Sequence, residues 1–176
     1  MFLDDRYLTD KGTEMIQAVG IVPEPKLDLV IERLIEIPRI ALWDAWTKAE
    51  HVKQWFAPPP WSVAECEIDL HPGGVFRTLL RSAEGSEISN VGCYVQVLTG
   101  QRLVWTTALR PGFRPNADAY LPITIAVTLE DEESGTRYVA IAMHADEAGR
   151  QQHEELGFYD AWGKSLEQLI AYASGL

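Results

Sequence analysis

Cysteine is scarce in this chain of 176 residues: Cys66 and Cys93 are the whole supply. Two thiols cannot build a disulfide framework, and neither stands at metal-ligand spacing from another ligand, so both read as free thiols and a reducing compartment is expected. Basic residues are also few. Lys and Arg number 15 against 26 Asp and Glu, giving a formal net charge of -11 and a pI near 4.7. That field repels phosphate backbones and anionic headgroups, and no Lys/Arg cluster offsets it, which makes nucleic acid and acidic membrane surfaces poor candidates as partners. Long apolar runs are missing too. No stretch suffices to cross a bilayer, and the acidic start MFLDDRYLTDKGTEMIQAVG lacks the basic and apolar segments of a secretory signal. A cytoplasmic protein is expected. The chain contains no Ser-His-Asp order, Cys-His pairing, metal-spaced cluster or phosphate-binding glycine loop, and Gly73-Gly74 sits in a hairpin with no helix after it. No metal or cofactor is expected.

What is present is 47% hydrophobic residues, enough for the core of one domain of this length. Residues 1–26 read as an N-terminal extension, either arm or tail, ending in Val-Pro-Glu-Pro; residues 27–176 read as the domain. LDLVIERLIEI (27–37) alternates as a strand, with Leu27, Leu29 and Ile31 on one side. Pro38 then opens a helix over 39–47 that turns Ile40, Ala41 and Trp43 to the core, followed by a short helix over 48–54 that Ala57 and the triplet Pro58-Pro59-Pro60 terminate. Strands at 62–70, 75–81, 88–98 and 102–109 are separated by turns, and that spacing predicts an antiparallel meander. The loop 110–120 precedes two more strands, at 122–130 and 136–145. The chain closes on a long amphipathic helix over 149–173, whose stripe is Phe158, Tyr159, Trp162, Leu166, Leu169, Ile170 and Ala173. Gly157 and Gly163 inside it imply close backbone approach or a kink. The order is that of an α+β fold: a curved antiparallel sheet of about seven strands wrapped around the C-terminal helix, with two short helices after the first strand.

The pieces LVIERLIEIPRIALWDAWTKAEHVKQWFAP, AECEIDLHPGGVFR, VGCYVQVLTGQRLVWTT, ESGTRYVAIAMHA and GFYDAWGKSLEQLIAYA together resemble the family named for the activator of the Hsp90 ATPase, within the START-like, helix-grip superfamily. The resemblance covers residues 27–176. The proline triplet and the extension depart from the family pattern. The resemblance implies a helix-grip fold whose space between sheet and last helix can hold a small hydrophobic or aromatic ligand, and that fold serves several functions. Pattern and resemblance together give Phe158, Tyr159, Trp162 and Leu166 on the helix, Trp55 and Phe56 at the mouth, and Phe76, Cys93 and Trp105 on strands; each could equally be core. His51 and His153 read as solvated. His71, ending a strand at Pro72-Gly73-Gly74, reads as an orienting residue. Resemblance turns Tyr138, Ala140, Ala142 and His144 toward the helix, with His144 as the polar end of the pocket.

Three functions stay open. One is non-catalytic binding of a small apolar molecule by a monomer or homodimer. The second is a regulatory module contacting a chaperone-like ATPase, with a link to stress response. The third is a polyketide-cyclase-like acid/base enzyme built from Tyr159, His144 and Asp69. A closed, filled core favours the second; a cavity above about 300 Å³ favours a ligand or substrate. In a meander Cys66 and Cys93 lie two interstrand spacings apart, too far for a disulfide.

Overall fold

A computed structural model describes residues 20–176. The first strand, β1 (Asp28–Ile35), is followed by two helices, α1 (Arg39–Thr47) and α2 (Ala49–Trp55). Then come β2 (Trp61–Ile68), β3 (Val75–Ser82), β4 (Glu87–Leu98), β5 (Arg102–Thr106), a small hairpin of β6 (Leu109–Arg110) and β7 (Arg114–Pro115), β8 (Ile123–Glu132) and β9 (Gly135–His144). Two helices end the chain, α3 (Glu147–Glu155) and α4 (Phe158–Ala173). The seven-stranded sheet runs β1-β9-β8-β5-β4-β3-β2, antiparallel throughout. The expected meander is there, curled into a half-barrel. Bulges at Val63/Glu65 and Tyr94/Gln96 lie on this sheet, and an extra residue in one strand bends it. The expected 1–26 extension falls largely outside the described residues.

Alternation decides what fills the curl. Leu29 and Ile31 of β1 stand opposite Ala142 and Ala140 of β9, which stand opposite Ile125 and Val127 of β8. All belong to one core, shared with Trp105, Tyr94, Phe76 and, from α4, Phe158, Leu166, Leu169 and Ala173. The other face of the sheet carries a smaller cluster of Val30, Val139 and Ile141, packed by Ile21 and Met143. Both faces of β9 are therefore buried. Arg137, 7% exposed, also lies on that outer side and holds Glu32 Oε1 at 2.7 Å and Glu130 Oε2 at 3.2 Å.

Three expectations are corrected. Ile40 is 64% exposed, because α1 buries Leu42, Trp43, Ala45 and Trp46, and at 3.6 residues per turn residue 40 lies on the opposite side of the helix from them. The closing helix is two helices. Gly157 adopts φ 91°, the left-handed region where only glycine is unstrained, and so separates α3 from α4. Gly163 needs no close approach, since a Cβ there would meet nothing within 4 Å.

Candidate functional site

The ends of α1 and α2 bring tryptophans together under α4. Trp46 is the hub, with ring centroids 4.6 Å from Trp55, 5.5 Å from Trp105, 6.1 Å from Phe56 and 6.4 Å from Trp162. Mixed edge and tilted contacts of this kind suit ring quadrupoles and leave gaps that flat stacking would close. Trp55 is fixed by its Nε1–H, which donates to Ala45 O at 3.0 Å. The segment after α2 is tied to α4 by Ser165 Oγ–H to Phe56 O at 2.9 Å and by the Gln168 amide to Trp55 O at 2.7 Å and Ala57 O at 3.1 Å. The half-buried Gln168 amide thus satisfies two carbonyls where α2 ends and the chain enters the prolines.

Between these elements lies a cavity of about 420 Å³. Its aromatic wall is Trp46, Trp55, Phe56, Phe158 and Trp162, with Leu166 from α4, and strands β3 and β4 contribute Leu80 and Ile88. Pro58 and Trp61 border it as well, so the prolines that depart from the family pattern help shape the site. Polar atoms come from Asn90, Tyr138, His153 and Ser165, and no Asp, Glu, Lys or Arg is among the lining residues.

Tyr138, fully buried, accepts a hydrogen bond from Trp162 Nε1–H at 3.3 Å. Burial drives its phenol well above its ordinary value, so it is a neutral hydroxyl. Trp46 Nε1–H interacts with the same hydroxyl but, buried, finds no partner in hydrogen-bond geometry.

The residues expected from the sequence divide. Trp55, Phe56, Phe158, Trp162 and Leu166 line the cavity. Phe76 and Trp105 are packed behind it, with centroids 5.2 Å apart. Tyr159 stands beside Phe158, off the wall, 5.1 Å between rings. Cys93 is buried in β4, where alternation puts it on the opposite face from Tyr94. His71 is exposed on the β2–β3 turn; its ring contacts Pro72 O at 2.8 Å and Asp69 Oδ2 at 2.9 Å, and these bonds raise its pKa. It does not reach the cavity.

His144 does face inward, 7% exposed, but His153 stands between it and the cavity. His153 is therefore not solvated: burial first and His144 second push it down to about 4. His51 is also withdrawn from water, its ring 5.6 Å from Tyr172 and its Nδ1 buried. The proposed acid/base set does not converge here, as Asp69 is held by His71 on the turn while His144 bonds Leu27 O and His153.

Trp46, Tyr138 and His153 are among the wall residues that the sequence candidates did not include. The i+3 spacing from Trp43 is the one sequence signal for Trp46, and the break at Gly157 the one for His153. Cys66 and Cys93 are free, on strands separated by β3. Burial pushes the Cys66 thiol up to about 11.

A curled antiparallel sheet gripping a C-terminal helix over an uncharged aromatic cavity is the helix-grip arrangement of START-like domains. Residues 36–174 match the family described as Activator of Hsp90 ATPase homolog 1-like protein, and the chain belongs to that family. It is 38% identical to a structurally characterised protein from Nitrosomonas europaea, covering 87% of this chain and 97% of that one with a TM-score of 0.83. A Rhodobacter sphaeroides protein shares the fold at 18% identity and TM-score 0.76, covering 88% and 96%. The AHSA1-like protein from Aeromonas hydrophila does so at 20% identity and TM-score 0.66, covering 85% and 93%. No curated protein matches. Among the described residues no helix is long and apolar enough to cross a membrane.

Proposed function

We propose that this protein binds a small, uncharged apolar or aromatic molecule in the cavity between its sheet and its last helix, without transforming it. The observation that carries the reading is the cavity of about 420 Å³ itself, aromatic-walled and lined by no ionised side chain. Sites for small molecules span roughly 300–1,000 Å³ and pair apolar walls with a few polar groups, as this one does. A filled core would favour a purely regulatory surface such as the family's name suggests; a cavity of this size favours a guest.

The experiment is native mass spectrometry of freshly purified protein. A co-purified small mass, lost in Trp162→Ala, is the expected result. Absence of any bound species, before and after incubation with neutral aromatic and lipid panels, would refute the reading.

A further inference from the structure

The wall that α3 contributes ends in an imidazole whose hydrogen-bonding state is set from behind. His144 Nδ1 lies 2.8 Å from Leu27 O. A carbonyl oxygen only accepts, so neutral His144 carries its proton on Nδ1 and keeps a lone pair on Nε2. That lone pair faces His153 Nδ1 at 2.9 Å. His153 must therefore donate from Nδ1, which uses the one proton of its neutral ring. Its Nε2 is left as an acceptor on a residue that lines the cavity.

The ring is held in that pose by edge contacts, centroids 5.1 Å from His144 and 4.9 Å from Phe158. The neutral pair is the state above the ordinary imidazole range, and its charged neighbours are these. Asp28, which interacts electrostatically with His144, has its carboxyl pushed up by burial. On α3, Glu147 is paired with Lys26 and Arg150 with Glu154. Elsewhere on the wall Ser165 has spent its hydrogen on Phe56 O and Tyr138 receives the Trp162 indole.

We propose that His153 Nε2 reads a hydroxyl hydrogen on the guest, so that the cavity selects neutral phenols and ring alcohols over hydrocarbons and ethers of the same size. The proposal rests on the cavity being a binding site. An ionised carboxylate or phosphate is disfavoured because no cation lines the cavity to offset its desolvation.

Two measurements test it on the full chain at pH 8. Long-range proton–nitrogen NMR of the wild type is expected to show both His144 and His153 as Nδ1–H tautomers; an Nε2–H tautomer at His153 overturns the proposal whatever binds. Calorimetric titration with 1-naphthol and with 1-methoxynaphthalene is expected to show the naphthol binding about tenfold more tightly, the worth of one hydrogen bond. His153→Phe, which can keep an edge contact with Phe158, is expected to bind both at the level of the ether. Equal binding of the two guests by the wild type, or an undiminished preference in His153→Phe, overturns the hydroxyl reader and leaves the cavity standing. Failure of both guests to bind overturns the cavity reading and the guest class together.

Discussion

Replacing His153 by Phe should change how stability depends on pH, and the direction follows from the structure. The folded protein holds this imidazole at about 4 against an ordinary 6.5. Between those values the unfolded chain takes up a proton that the folded chain refuses, so stability present above pH 6.5 is lost as pH falls toward 4. At about 1.4 kcal/mol for each tenfold change in proton affinity the effect is at most about 3 kcal/mol. His153 is only part-buried, and solvent screening reduces it to about 1–2 kcal/mol. Phe cannot titrate, but it leaves His144 Nε2 without its partner, which costs about 1–3 kcal/mol at neutral pH. Urea unfolding at 25 °C from pH 7.5 to pH 4.5 is therefore expected to show a variant less stable at pH 7.5, with the gap narrowing by about 1–2 kcal/mol at pH 4.5. A gap that stays constant or widens on acidification would refute the placement of His153 in a desolvated pair.

Gly135 has φ 147°, and a Cβ there would sit 2.1 Å from Ile35 O, a backbone atom in the neighbouring strand; Gly135→Ala should lose about 2–4 kcal/mol in urea unfolding. Arg137→Ala strips the counter-charge from Glu32 and Glu130 and should cost about 3–5 kcal/mol, most of it recovered when both carboxylates are also made amides. Thiol titration of the denatured, unreduced chain should find two thiols, and slow labelling when folded, because Cys93 is buried and Cys66 is held near 11; one thiol or none would contradict the strand order.

The strands were legible because short apolar runs are regularly spaced and because Pro72-Gly73-Gly74 and Gly135 mark turns between them. The jaw of the grip was legible from Phe158, Trp162 and Leu166 at helical spacing. What stayed hidden depends on phase and on contacts between distant segments. Ile40 and Trp46 sit on one helix, and only packing against β5 and α4 says which of them is inside. His153 lies among charged residues in sequence, and it becomes a cavity residue only because Gly157 turns α3 back against β9. Gln168 gains its role only from the carbonyls of Trp55 and Ala57, more than a hundred residues away in sequence. Local pattern defines elements; polar atoms whose partners lie more than a hundred residues away are decided by the fold.

Ala161 lines the cavity from the solvent side of α4, where a larger side chain fills space without displacing the buried stripe. Titration of 1-naphthol into wild type and Ala161→Phe, with thermal unfolding measured alongside, tests the cavity most directly. Saturable one-to-one binding by the wild type, weakened at least about tenfold in the variant at unchanged stability, is the predicted result. No saturable binding by the wild type, or equal binding by both, would contradict it.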